Sequence, residues 1–242
     1  MNGARQPLNG QPGSKAHGWR AVVLCVAVLL AVLLALHSGV SRLATDSFHT
    51  GPASSAVTYE PAIGRPAIVC LGDSLTAGDG APASQSYPAW LQRQLDSAGY
   101  RLQVVNAGHS GDRVAGGLAR LQDSVLRFHP AIAIVELGSN DPGHTPAATW
   151  QSQLGSIVSQ LQAQHVAVIV GGLEEPGMAT RYAAVGSQYR VPVVWFTRNL
   201  WTRPGLWANA HHPNGAGYQI VMESFWPAVV QAVSHGHAGG RA

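Results

Sequence analysis

Four short polar clusters interrupt a chain that is otherwise rich in small and apolar residues. They are Gly72-Asp73-Ser74-Leu75, Asn106-Ala107-Gly108-His109-Ser110-Gly111-Asp112, Gly138-Ser139-Asn140-Asp141 and His211-His212-Pro213-Asn214. Together they hold the parts that acyl transfer needs: a hydroxyl nucleophile, a base to take its proton, and neutral donors aimed at a developing oxyanion. Ser74 offers the hydroxyl. His212 can accept and return a proton near neutral pH, on a loop stiffened by Pro213. Asn140 offers an amide donor that does not titrate. Gly108 presents a backbone N–H with no Cβ in the way of a substrate.

The elements between the clusters decide whether these residues can meet. Ala67–Leu71, Leu102–Val105, Ala131–Leu137, Val166–Val170 and Val191–Phe196 are short β-rich apolar runs. Helical spacing fills the intervals. It runs over Tyr87–Ala98 through Trp90, Leu91 and Leu95, and over Val114–Phe128 through Leu118, Leu121, Val125 and Phe128. It continues over Pro146–Gln164, Ala179–Tyr189 and finally Gly217–Val233. Five apolar strands alternating with helices imply right-handed crossovers and a parallel sheet covered on both faces. In such α/β sheets ligands bind beyond the carboxyl ends of the strands. The first three clusters follow strands one, two and three directly, and the fourth lies between strand five and the last helix. Gly171-Gly172 follows strand four without the spacing of a dinucleotide fingerprint.

The four blocks GDSL, NAGxSGD, GxND and HPN, in this order, resemble those of the SGNH (GDSL) hydrolases, and the resemblance spans Ile68 to Val233. Its context, GDSLTAG, YPAWLQRQL, VVNAGHSGD, GLARL and VELGSND, is most similar to the exported thioesterase/lysophospholipase-type arylesterase branch. The resemblance implies a flavodoxin-like three-layer α/β/α sandwich with strand order 2-1-3-4-5 and no cofactor. It implies Ser74 as nucleophile and His212 as general base. The Ser74 and Gly108 N–H groups and the Asn140 side chain would form the oxyanion hole. The activity implied is hydrolysis of a small acyl ester, thioester or lipid through an acyl-Ser74 intermediate. A glycan or peptidoglycan O-acetylesterase is the alternative enzyme.

One position departs from the pattern. Where most members carry Asp three residues before the histidine, this chain has Asn209. Its amide oxygen or backbone carbonyl can accept from the His212 ring, which makes Asn209 a candidate third catalytic residue. It cannot offset imidazolium charge as a carboxylate does, and this motivates a further alternative, a catalytically weak binding protein. Glu174 and Glu175, after strand four, are candidate sources of that charge. Asp73 and Asp112 read as hydrogen-bonding supports of their loops, and His211, His109, His235 and His237 as loop or tail residues. Trp195, Trp201 and Trp207 suit an acyl-binding wall or core packing equally. The histidines lack the spacing and carboxylate company of a metal site.

Charge and hydropathy place the catalytic part in the cell. Of 242 residues, 46% are hydrophobic and 11% charged, and the formal net charge is +3. Arg5, Lys15, Arg20 and Arg42 give residues 1–42 a charge of +4 with no acid, so the remainder sums to −1. A nucleic-acid-binding face on the globular part is therefore not expected. The sequence divides into a disordered basic leader at 1–20, a transmembrane anchor or signal segment at 21–40, a linker at 41–66, the hydrolase domain at 67–234 and a disordered tail at 235–242. Basic residues before the apolar segment favour a cytoplasmic N-terminus and a catalytic domain outside the cytoplasm. Cys25 lies in this segment and Cys70 in strand one, so both read as inert thiols and not as a disulfide. Cell fractionation should place the full-length chain in membranes, and deletion of residues 1–45 should release soluble, active enzyme. Full-length protein in the cytosol would contradict both anchoring and export.

Overall fold

Strand β1 (Ala67–Gly72) is buried along its whole length, as a strand must be when helices cover both faces of its sheet. The computed structural model describes residues 64–237, of which His237 is described by its backbone alone. The leader, the apolar segment and most of the linker lie outside the described residues. Strands β2 (Gln103–Gly108), β3 (Ile132–Glu136), β4 (Ala167–Gly172) and β5 (Val193–Trp195) complete the sheet. All neighbours are parallel, in the order β2-β1-β3-β4-β5. This is the strand order that the sequence resemblance implied. β1 reverses direction of winding, to β2 on one side and β3 on the other, so a crevice opens at their carboxyl ends.

The helices are α1 (Ser74–Ala77), α2 (Tyr87–Ser97), α3 (Val114–Ala119), α4 (Leu121–Ser124), α5 (Ala147–Ala163), α6 (Met178–Tyr189) and α7 (Gly215–Ala232). α2 packs on α7, while α3 packs on α5 and α5 on α6, giving the two outer layers of the sandwich. Aromatic side chains fill the layer beneath α2 and α7: Phe225 stacks on Tyr87 at 5.3 Å and on Phe196 at 5.6 Å. On the other face the buried Trp150 meets Tyr182 edge-on at 4.8 Å. A π-helical turn, Val233–His237, follows α7. Among the described residues no helix is long and apolar enough to cross a membrane.

Two features differ from the sequence expectation. The single helix expected over Val114–Phe128 is broken into α3, α4 and a 3-10 turn at Leu126–Phe128. The break falls at Arg120, with φ −101° and ψ 9°. Its guanidinium turns back to Asp112 (2.7 Å) and to the carbonyls of Ala107 (2.7 Å) and Gly72 (2.9 Å). Those ties gain three charge-assisted hydrogen bonds at strand ends, and helix continuity yields to them. The second feature is α1, a single turn immediately after β1 that no periodicity could have revealed. It holds Ser74 at its first position.

Cys70 is buried, and burial pushes its thiol up to about 12, in keeping with an unreactive core residue. The aromatic pair of Trp150 and Tyr182 supports the loop after β3, because Tyr182 Oη donates to Leu137 O at 2.8 Å. Trp150→Ala is expected to lower the unfolding free energy in urea by about 3–5 kcal/mol. A loss under about 1 kcal/mol would show that this layer is not part of the core.

Candidate active site

The turn from β1 into α1 is held by a buried acid. Asp73 is fully buried, and its Oδ1 accepts the Leu75 N–H at 3.0 Å, capping α1. Its Oδ2 accepts a short hydrogen bond from Ser139 Oγ and a longer one from Asn140 Nδ2 at 3.3 Å. One carboxyl group thus ties the loop of Ser74 to the loop after β3. Asn140 Nδ2 also donates to Asp112 O at 2.9 Å, which joins the loop after β2 to the same point. Asp141 Oδ2 accepts the Val114 N–H at 3.1 Å at the start of α3. Asp73 and Asp112 are therefore supports of their loops, as read from the sequence.

A second acid lies below. Glu136, the last residue of β3, is buried, and Thr76 Oγ1 of α1 donates to its Oε2 at 2.8 Å. Burial raises its pKa well above the usual carboxylate range, and the neighbouring Asp73 charge raises it further. Sequence reasoning missed Glu136. Its signal was a lone acid inside an apolar strand, a residue type rarely buried without a partner.

The candidate base arrives from 138 residues away. His212 Nε2 stands 3.0 Å from Ser74 Oγ, within reach for a proton transfer. Partial burial holds the His212 pKa below its ordinary value, the Asp79 carboxylate acts to raise it, and His211 acts to lower it. The ring is therefore neutral at pH 7 and able to accept a proton. Its loop is shaped by Asn209, whose Oδ1 accepts the backbone N–H groups of both His211 and His212 at 2.9 Å. The Ala208 N–H donates back to His212 O at 2.9 Å. Asn209 thus spends its side-chain oxygen on the backbone of the loop. Among the described residues Nδ1 of His212 has no hydrogen-bond partner.

Gly108 sits differently from the sequence expectation. It is buried, and its N–H donates to Asn106 Oδ1 at 2.9 Å, so that hydrogen is committed within the strand end. A Cβ at this position would overlap the backbone N of Ala77 and stand 2.7 Å from its Cα. Glycine is needed here so that α1 can lie on the end of β2. Three residues on, Gly111 is exposed, at φ +83° with open space where a Cβ would be. It precedes Asp112, whose carbonyl touches the Asn140 amide.

The remaining candidates divide clearly. Glu174 is paired with Arg198 at 2.6 Å, and no hydrogen bond joins it to His212. Trp195 is half-buried and packs edge-on toward Tyr182 at 6.4 Å. Trp207 donates to Leu200 O at 3.1 Å and bridges to Pro213 beside the histidine loop. Trp201 stacks on Trp207 at 4.9 Å and is 51% exposed. His109 is exposed and lies 3.3 Å from Asp112. Among the described residues no group of three His, Cys, Asp or Glu side chains could hold a metal ion.

A serine and a histidine in contact at the mouth of this sheet narrow the comparison with known proteins. Residues 70–220 match the GDSL-like Lipase/Acylhydrolase family. The chain belongs to this family. Esterase TesA of Pseudomonas aeruginosa is 33% identical over 175 residues, covering 67% of this chain and 87% of TesA. The Escherichia coli K12 protein named thioesterase 1/protease 1/lysophospholipase L1 is 30% identical over 181 residues, covering 69% of this chain and 85% of that protein. Among solved structures, a crystal structure of TesA superposes with a TM-score of 0.64 at 31% identity, covering 69% of this chain and 99% of that one. AlinE4, described as an SGNH-hydrolase family esterase, gives 0.56 at 30% identity, covering 70% of this chain and 97% of that one. This GDSL-like protein is accordingly an ester-hydrolysing enzyme of the serine-hydrolase type.

Burial is the largest influence on Asp73 and raises its pKa from 3.8 to about 6. Between those values the folded GDSL-like domain keeps a proton that the unfolded chain has released, so its stability falls as pH rises through the window. The shift corresponds to about 3 kcal/mol. Asp73→Asn carries no such titration. Denaturant unfolding should show the stability of Asp73→Asn, relative to wild type, rising by about 2.4 kcal/mol between pH 4 and pH 7. A difference independent of pH would contradict this reading of the buried carboxyl.

Proposed function

We propose that hydrolysis proceeds through an acyl-Ser74 intermediate, with Ser74 and His212 working as a pair. The observation that carries this is the 3.0 Å contact between Ser74 Oγ and His212 Nε2. As Oγ attacks the acyl carbon, its proton passes to Nε2 and the carbonyl electrons move onto oxygen. The imidazolium then returns the proton to the leaving alcohol or thiol. Water, activated by the same nitrogen, releases the acid and restores Ser74.

We place the oxyanion at the Ser74 N–H and the Asn140 amide, with Gly111 as the second backbone donor in place of Gly108. The reassignment rests on the committed hydrogen of Gly108 and on the open position of Gly111 beside Asn140 and Asp112. Asn140 gives up only its 3.3 Å contact to Asp73 when it turns a hydrogen to substrate. Asn209 acts by shaping the backbone that presents His212, which leaves a dyad and not a triad at the ring.

The substrate class we infer is a small carboxylic ester, thioester or lipid ester. The names of the relatives, an esterase and a thioesterase/lysophospholipase, support this class. We further infer that the domain works outside the cytoplasm, tethered by the apolar run Ala21–Val40, because basic residues precede that run.

Kinetics with a p-nitrophenyl ester test the machinery. Ser74→Ala should abolish turnover, and undiminished hydrolysis by that variant would refute the mechanism. Asn140→Ala should lower kcat by about 10²–10³ with KM little changed, the usual loss for one oxyanion donor. A loss confined to KM would make Asn140 a ground-state contact. Because burial depresses the base, the acid limb of kcat/KM should fall below pH 6.5.

A further inference from the structure

The charge that a carboxylate at position 209 would bring to the base is missing from this chain. Asn209 is neutral, and its side-chain oxygen already holds two backbone N–H groups. Another carboxylate lies close along the chain to a residue that touches this loop. Asp79 lies in the turn that follows α1. Its N–H donates to Ser74 O at 3.1 Å, and its carbonyl accepts from Tyr218 Oη of α7 at 2.7 Å. Its backbone is thus pinned between the nucleophile's own helix and the helix that follows the histidine.

The next residue fixes the distance to the base. Gly80 has φ +91°, and a Cβ there would stand 2.9 Å from His212 Cβ, 2.7 Å from Pro213 O and 3.1 Å from Ala208 Cβ. Only glycine meets both the left-handed backbone and this close approach. The turn therefore lies flat against the histidine loop, with Asp79 one residue from contact. The Asp79 side chain is partly exposed and makes no hydrogen bond among the described residues, so its carboxylate is not spent on another partner.

The charged and titratable groups around His212 are few. His211, on the same loop, disfavours the imidazolium, and Asp79 favours it. Tyr218, from α7, is a neutral phenol whose pKa burial pushes far up. α1 contributes the uncharged Ser74. Of these groups Asp79 is the one whose charge favours the imidazolium, against the larger effect of burial.

We propose that Asp79 is the positioning residue of the base: from the turn after the nucleophile, it supplies the negative charge that this chain lacks at position 209. The role rests on the Ser74–His212 reading above. Asp79 takes no proton. The Ser74 proton moves to His212 Nε2 as the Oγ–C bond forms, and the Asp79 carboxylate stabilises the resulting imidazolium through space.

The test is the pH profile of kcat/KM for the full-length enzyme in detergent, with p-nitrophenyl acetate. Asp79→Asn should move the acid limb down by a few tenths of a pH unit and lower the plateau by up to about fivefold, the range of a part-exposed charge pair. Asp79→Glu should keep the wild-type limb. Asp79→Asn combined with Asn209→Asp should bring the limb back up, because a nearby anion again favours the protonated ring. An acid limb in Asp79→Asn that coincides with wild type overturns the proposal whatever happens to the plateau, since a purely structural role lowers rate without moving the base. A double variant whose limb stays where the single variant left it also overturns it. Ser74→Ala is the control: turnover surviving in that variant refutes the Ser74–His212 reading itself. With that variant inactive and the Asp79→Asn limb unmoved, the role of Asp79 alone falls.

Discussion

Asp73 is the constraint on which the site depends. A carboxyl group without solvent exposure is costly to bury, and burial is the largest cause of the rise of its pKa to about 6. The cost is offset by what it joins. It caps the turn that presents Ser74, and it receives the hydroxyl of Ser139 and the amide of Asn140 from the loop after β3. Ser74 and Asn140, the proposed nucleophile and oxyanion donor, are therefore positioned against each other by one side chain between adjacent strands. Such placement of donors before substrate arrives is what makes them effective in the transition state. Glu136 below and Arg120 beside it extend the same logic, fastening α1 and the ends of β1 and β2.

The histidine is held by different means. It comes from a loop far along the chain, and neither a strand nor a helix carries it. Its backbone is organised by Asn209, by the Ala208–His212 hydrogen bond and by the close contact with Gly80. These are short-range, neutral interactions. If His212 is the base, as proposed, its positioning and its electrostatic support are thus separate tasks here. In an Asp-x-x-His arrangement one carboxylate can serve both. In this chain the residue at 209 serves the first, and its amide has no charge with which to serve the second.

Much of this was legible in the sequence because the physics was local. Five apolar runs and their spacing suffice for a parallel sheet, and the clusters that follow them mark the carboxyl edge. Ser74, Asn140 and His212 stand out as polar residues at strand ends or in the loop before the last helix. What stayed hidden was set by tertiary contacts. Gly108 and Gly111 look alike in a string of letters. Only the packing of α1 on β2 shows that the first is needed for backbone contact and has its hydrogen committed to Asn106. The break at Arg120 was equally illegible, because its guanidinium is drawn to carbonyls of two other strands. Glu136 was read as part of an apolar strand because its partner, Thr76, is 60 residues away.

The central claim is that Ser74 is the nucleophile and that contact with His212 makes it one. The most direct measurement is peptide mapping by mass spectrometry after reaction with a serine-reactive phosphonate, which reports the nucleophile without depending on which catalytic step is slow. One adduct per chain, on Ser74, with labelling greatly slowed in His212→Ala, is the result predicted. An adduct on another residue, or turnover that continues in fully labelled protein, would contradict the account.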